Sequence, residues 1–217
     1  MAVPMPRRQH GVTLIEVLVS MLIMALGMVS LAALQGYTLR YQLGSAQRAQ
    51  LSGLLSDYAE RVRANVLAAP GLAGAPTSLP SSSDVPYLVA SSWSDQVDGD
   101  LPSAAKACVG GSGTSAVCSP AELAEYDMAQ WRAAVRRELP RGAVHVTGSA
   151  LTGLTVTFMW ADKDFGSGTA AAFTSSSSRT CNPATMSGPD LQTCCPDGAL
   201  GTGNTVGVRC ANFTVIP

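Results

Sequence analysis

The feature that most constrains this chain is an apolar stretch near its amino end. No charged residue occurs from Val17 to Leu39, a run of 23 positions in a chain of 217 residues. A helix needs about 20 such residues to cross the hydrocarbon core of a bilayer. Because Arg7 and Arg8 precede the run, the positive-inside rule predicts a cytoplasmic amino end and export of the chain that follows.

A cleaved secretory signal is the alternative interpretation of this stretch. Such signals have a shorter apolar core, roughly 7–15 residues, followed by a small-residue cleavage site. The sequence Ser30-Leu31-Ala32 matches that kind of site only weakly. Glu16 is also unexpected at this depth, because a carboxylate in an apolar setting costs several kcal/mol unless it is paired.

The residues that begin the run follow a specific pattern. Gly11 comes after a short basic leader and is followed by Val-Thr-Leu-Ile-Glu, which ends at Glu16. This pattern resembles the class III signal peptide of type IV pilins and pseudopilins, although Val12 stands where Phe or Met is commoner. In that family a prepilin peptidase cuts after the glycine and methylates the new amino terminus. The resemblance implies cleavage between Gly11 and Val12, N-methylation of Val12 and an assembly role for Glu16.

The same resemblance implies a partner for the carboxylate of Glu16. Cleavage creates a positive amino terminus at Val12, four residues away on the same helix face. In pilus fibres this glutamate is thought to meet the terminal amine of a neighbouring subunit. A carboxylate that simply reaches water at the cytoplasmic interface is the alternative interpretation.

We expect the helix to continue beyond the membrane as an amphipathic half. Apolar residues recur there at steps of three and four: Leu51, Leu54, Leu55, Tyr58, Val62 and Val66. Pro70-Gly71 then ends the helix near Ala69. The predicted division is a leader peptide (1–11), a transmembrane and assembly helix (12–39), the amphipathic half (40–69) and an exported globular head (70–217).

The head is predicted to combine a helix with a small antiparallel sheet. Residues 70–118 are rich in Gly, Pro and Ser and indicate a long loop with at most one short strand around Tyr87–Ala90. Ser119-Pro120-Ala121-Glu122 is a capping box that begins a helix, and Pro140 closes it. The charged residues of this helix are expected on its solvated side: Asp127, Arg132, Arg136 and Arg137.

The strands follow this helix. Residues 154–160 alternate as a half-buried strand does, and 143–147 pairs with them through the turn region 148–153. His145 is expected on the surface of its strand, and a last strand is expected over Asn212–Ile216. The predicted fold is therefore α+β and pilin-like: a long N-terminal α-helix, with a transmembrane half and an amphipathic half, packed on a small antiparallel sheet with one additional helix.

A second resemblance concerns the head. The sequence AELAEYDMAQWRAAVRRELPRG followed by LTVTFMWAD resembles PilV-type minor pilins, or type IV pilus modification proteins. It implies other minor pilins and a major pilin as partners, and a chain that moves from the bacterial inner membrane to the pilus. The implied role is to prime or cap pilus assembly in support of twitching motility, adhesion or DNA uptake. A minor pseudopilin of a type II secretion system and a membrane-anchored or secreted adhesin are the alternatives.

Six cysteines follow the apolar run, and their even count in an exported chain indicates disulfides. A zinc site is the competing interpretation, but the chain has no C-x-x-C pair and both histidines lie far from the cysteines in sequence. We favour a bond across the Gly/Ser-rich segment between Cys108 and Cys118. We expect the adjacent Cys194 and Cys195 to pair with the two others rather than with each other. The candidate disulfide cysteines are Cys108, Cys118, Cys181, Cys194, Cys195 and Cys210.

The sequence carries no motif that indicates catalysis. It contains no G-x-S-x-G, no H-E-x-x-H and no phosphate-binding glycine loop. Asp162-Lys163-Asp164 is interpreted as a charged turn rather than a cation site. A formal net charge of −1 provides no basic field for nucleic acid. We therefore expect no enzymatic activity, no metal, no cofactor and no nucleic-acid partner.

Overall fold

The structure is a computed structural model, and it describes residues 13–65, 87–108, 117–149, 151–162, 180–202 and 207–217. The chain divides into two compact units, residues 1–46 and 47–217. The elements, in chain order, are α1 (Leu14–Ala64), α2 (Trp93–Asp98), α3 (Pro120–Glu138), β1 (Ala143–Ser149), β2 (Gly153–Ala161), α4 (Pro189–Thr193) and β3 (Val208–Val215).

The α+β, pilin-like layout predicted from the sequence is confirmed: a long apolar amino-terminal helix precedes further helices and a small antiparallel sheet. Helix α1 ends at Ala64, five residues before the predicted end. Its predicted first residue, Val12, and the predicted end at 66–69 lie outside the described residues.

The three strands form one antiparallel sheet in the order β1-β2-β3. Val156 in the central strand lies opposite Val146 on one side and Phe213 on the other. Alternate residues of β2 share one face, as predicted, and all four are buried: Leu154, Val156, Phe158 and Trp160. The prediction of a half-buried strand is wrong, however, because Thr157 and Met159 on the other face are buried as well. This face carries the main apolar core of the second unit.

The second half of α1 and helix α3 complete this core. Leu51, Leu54, Tyr58 and Val62 are buried, as their spacing predicts. Trp131 of α3 packs against Tyr58, with 4.7 Å between ring centroids, and its indole N–H donates to the carbonyl of Leu54 at 2.8 Å. Because an aromatic ring buries a large area and its N–H is satisfied, this contact fixes α3 against α1.

The capping box at the start of α3 forms as predicted. The hydroxyl of Ser119 accepts from the backbone N–H of Glu122, and the Glu122 carboxylate accepts from the N–H of Ser119 at 2.7 Å. The carboxylate also pairs with Lys106 at 3.2 Å. The hydrogen bond from the Ser119 backbone, followed by the bond from Lys106, lowers the pKa of Glu122.

Two short helices were not predicted. Helix α2 lies within residues 70–118, where the sequence indicated only a loop, and α4 precedes the last strand. The signal for α2 was present, since Ser92 and Asp95 form a reciprocal capping box. Strand β3 begins at Val208, four residues before the predicted start, because Arg209 and Cys210 interrupt the apolar pattern yet pair with β2.

The prediction that Asp127 and Arg136 are solvated is wrong. Asp127 accepts from Arg61 at 2.9 Å, and its side chain is only 15% exposed. Arg136 donates to the carbonyls of Gln96 and Gly99. These partners lie far away in sequence, so helical periodicity alone assigns the two residues to the wrong environment.

The prediction of a surface position for His145 is also wrong, because only 8% of this residue is exposed. The second face of the sheet is not open to water throughout. It carries a smaller apolar cluster that includes Trp93, Met159 and Val208. Burial lowers the pKa of His145, because it disfavours the charged imidazolium.

Candidate assembly site

The first unit contains an apolar helix whose described residues are exposed along the whole apolar span. Residues Leu14–Leu39 form a span of 26 residues; its most apolar 18-residue window has a mean hydropathy of 2.5, and none of that window is buried. Leu22 in its middle is 61% exposed. Exposed apolar area of this extent is unfavourable in water, which supports membrane anchoring of this segment.

Several polar groups of this helix are satisfied within it. The carbonyl of Thr13 accepts from the N–H of Glu16 at 3.0 Å and begins the helix. The hydroxyls of Ser20 and Ser30 donate to carbonyls four residues earlier, at 2.7 and 3.0 Å. The serine hydroxyls and the hydrogen-bonded backbone groups therefore do not need water, as a segment within a bilayer requires.

Glu16 lies in the first turn of α1 and is exposed. It is the single charged residue from Thr13 to Leu39. Among the residues that the structure describes, no ion pair reaches its carboxylate. The helix dipole favours a negative charge at this end, but does not replace a counter-ion. The predicted cleavage site, Gly11 and Val12, lies outside the described residues.

A polar cluster in the second unit joins α1 to α3. Arg61 donates to Asp57 and to Asp127, at 2.9 Å in both cases, and the hydroxyl of Tyr87 donates to Asp127 at 3.0 Å. Partial burial opposes the charge of Arg61, but the two carboxylates outweigh it and raise the pKa of Arg61. Burial raises the pKa of Tyr87 above its usual value. These groups satisfy one another, so the cluster holds the amphipathic half of α1 in place.

The six cysteines form three disulfides: Cys108–Cys118, Cys181–Cys194 and Cys195–Cys210. The adjacent cysteines are thus bonded to different partners, as the sequence suggested. No pattern in the sequence indicates that Asn212 anchors this region. Its amide donates to the carbonyls of Leu191 and Cys194 at 2.7 and 2.8 Å, which holds the disulfide-bonded segment beside β3.

Comparison with known proteins identifies the amino-terminal segment. Residues 6–32 match the family described as the prokaryotic N-terminal methylation motif. No curated protein and no solved structure matches the chain significantly. The matched segment contains Gly11, Val12 and Glu16 and most of the exposed apolar helix. The motif, the helix and the small sheet together support a type IV pilin-like protein, that is, a pilin-type or pseudopilin-type substrate of a prepilin peptidase.

Proposed function

We propose that this chain is a PilV-type minor pilin of a type IV pilus. The observation that carries the proposal is the exposed apolar helix over Leu14–Leu39, which lies largely within the methylation motif and has one carboxylate in its first turn. A prepilin peptidase cuts after Gly11 and methylates Val12. The mature chain then stays in the inner membrane until it joins the fibre with the major pilin and other minor pilins.

Assembly needs no catalytic step by this chain. The helix exchanges contact with lipid for packing against the apolar helices of neighbouring subunits. Glu16 pairs with the amine of Val12 in an adjacent subunit, which sets the axial position of each helix. This pair matters because an unpaired carboxylate among apolar helices is costly, and pairing with the amine offsets part of that cost. The second unit, with its three disulfides, is exported and forms the outer part of the fibre.

Replacement of Glu16 tests this pairing. We expect Glu16→Ala and Glu16→Gln to be cleaved and stably held in the membrane, but depleted in sheared pili. The Gln variant separates loss of charge from loss of the polar group. Glu60→Ala is the matched control, because the Glu60 side chain also lies on α1 and is 74% exposed. Immunoblots of the membrane and sheared fractions give the measurement, and normal incorporation of both Glu16 variants would refute the pairing.

A minor pseudopilin of a type II secretion system is the second candidate, because the matched motif serves both assemblies. Deletion of the gene separates the two. A minor pilin is expected to be needed for surface pili, with secretion of exoproteins unchanged. Loss of secretion with normal pili would instead identify a pseudopilin.

A further inference from the structure

The two edges of the sheet differ in how their backbone groups are satisfied. On the β1 edge, the N–H and carbonyl of Val144 bond with the side-chain amide of Gln96 at 3.3 and 2.7 Å. Val146 exchanges two backbone bonds with Val89, at 2.9 and 3.1 Å. The chain therefore closes this edge with its own groups, as proteins commonly do to protect an exposed strand.

The direction of the backbone groups on β3 follows from the register. The backbone N–H of Ala161 donates to the carbonyl of Pro140 on the β1 side. Because backbone groups of successive residues point to opposite edges, the N–H and carbonyl of Trp160 point toward β3. Trp160 lies opposite Arg209, whose groups therefore point back toward β2. Because direction alternates along a strand, the backbone groups of Cys210 and Asn212 point away from the sheet.

These outward groups have no partner in the part of the chain that the structure describes. No hydrogen bond reaches the backbone N–H or carbonyl of Cys210 or Asn212 from those residues. The side chain of Asn212 bonds to the neighbouring loop, but this leaves its own backbone N–H and carbonyl available. Within the described ranges, the β3 edge is thus unpaired, whereas the β1 edge is closed.

A cavity of about 370 Å³ runs along this edge. Five consecutive residues of β3, 209–213, line it, so it contacts the strand from both faces and along its edge. Leu51 and Trp160 form an apolar wall on the α1 side, and Gln192 with Thr193 of α4 forms a polar wall on the other. An extended backbone along the floor of such a groove can bond to the strand and place alternate side chains against the two walls.

The charges around the groove favour an acidic occupant. Of the residues that the structure describes, the charged ones that line it are Arg48 and Arg209, and no carboxylate among them does so. Arg209 pairs with Asp162 at 2.5 Å. Arg48 is exposed and forms no ion pair with any residue in the described ranges. A carboxylate on the occupant therefore has a cation available at Arg48.

We propose that the free edge of β3 is a docking site for an extended acidic segment of another polypeptide, which adds as a fourth strand. The segment bonds to the backbone groups of Cys210 and Asn212. One of its apolar side chains contacts Leu51 and Trp160, and a carboxylate pairs with Arg48. This binding activity does not depend on whether the chain belongs to a pilus or to a secretion system.

Defined peptides test the proposal on the full chain in detergent. The probe is a fluorescein-labelled acetyl-Thr-Val-Thr-Asp-Thr-Val-amide, in which Val and Asp share one face, and fluorescence anisotropy measures its binding. A second peptide carries Lys in place of Asp, and a third carries Pro in place of the second Thr. We expect both changes to weaken binding, because the first loses the charge pair and the second loses a backbone donor. Equal affinity for all three peptides, or no binding of the Asp peptide, would overturn the proposal.

Variants of the chain locate the site. Arg48→Glu is expected to weaken binding of the Asp peptide about 10-fold and to reverse the preference between Asp and Lys. Asn212→Pro removes an outward N–H without removing a bond between β2 and β3, and is expected to weaken binding about fivefold. Asn212→Ala is its matched control, since it loses the same side-chain bonds but keeps the N–H.

The result that would contradict the placement is equal loss of binding in Asn212→Ala and Asn212→Pro. Hydrogen–deuterium exchange on the unaltered chain gives a readout that does not depend on the folding of any variant. The bound Asp peptide is expected to slow exchange of the Cys210 and Asn212 amides. Slower exchange elsewhere in the chain, with the exchange of these two amides unchanged, would refute binding at the β3 edge.

Discussion

Truncation of Trp131 tests how the head is held together. This residue is fully buried, and its ring centroid lies 4.7 Å from that of Tyr58 and 5.8 Å from that of Phe158. Its N–H also donates to the carbonyl of Leu54 at 2.8 Å. Trp131→Ala opens a cavity where α1, α3 and the sheet meet, at a cost of about 3–5 kcal/mol in the free energy of unfolding. Because a domain has roughly 5–15 kcal/mol in total, this variant is expected to be marginally stable.

Trp131→Phe separates packing from the hydrogen bond. It keeps an aromatic ring but loses the indole donor, which is worth about 1 kcal/mol net. Urea unfolding of the full chain in detergent, followed by near-ultraviolet circular dichroism, measures both variants. Val117→Ala is the control: Val117 is 88% exposed, and a surface change of this kind stays within about 0.5 kcal/mol. A cost below about 1 kcal/mol for Trp131→Ala would refute this reasoning.

Three further predictions concern the head. Because burial lowers the pKa of His145, the unfolded chain binds that proton more readily, and the free energy of unfolding falls as the pH drops below 6.5. In His145→Gln this component disappears from unfolding curves measured across that range. Ser119→Ala removes the cap of α3 and costs about 1 kcal/mol in urea unfolding. Joint replacement of Cys195 and Cys210 by Ser opens a link between residues 15 apart and costs about 3 kcal/mol by the same assay.

Each of these has a distinct contrary outcome. A pH dependence below 6.5 that is identical in the His145→Gln variant would exclude the histidine as its source. Ser119→Asn keeps a capping side chain, so a cost equal to that of the Ala variant would argue against the cap. Unchanged stability on removal of the Cys195–Cys210 pair would show that the sheet holds this segment without the bond.

The parts of the fold that the sequence predicted carry local signals. The cap of α3 lies within four consecutive residues, Ser119 to Glu122, and its hydrogen bonds form between those residues. The alternation over 154–160 is likewise a property of neighbouring residues. Strand β1 could be predicted because a short turn connects it to β2, with which it pairs. Such features depend on backbone geometry and side-chain period, which the sequence displays directly.

The parts that it missed depend on distant partners. The sequence pattern assigns Asp127 to the surface of α3. In the structure it lies beside Arg61, which is 66 positions earlier in the chain. Gln96 is polar but buried, because it bonds to Val144 across 48 positions. His145 is buried because a second apolar cluster covers part of the other sheet face. The periodicity of apolar residues cannot predict these contacts, because the polar groups find their hydrogen-bond partners only in the folded chain.

The two sites differ in the same way. Gly11, Val12 and Glu16 lie within six consecutive residues, so the sequence suffices to predict a maturation and assembly site. The open edge of β3 is a property of strand order and register. It depends on the backbone groups of Cys210 and Asn212, which point away from β2 only in the folded sheet.

The mature amino terminus is the measurement that tests the central proposal most directly. Mass spectrometry of the chain purified from its own membranes gives both the first residue and its modification. Maturation by a prepilin peptidase predicts a chain that begins at N-methylated Val12. A chain that begins near Ala33, or one that retains its leader through Gly11, would contradict the assignment to the pilin and pseudopilin class.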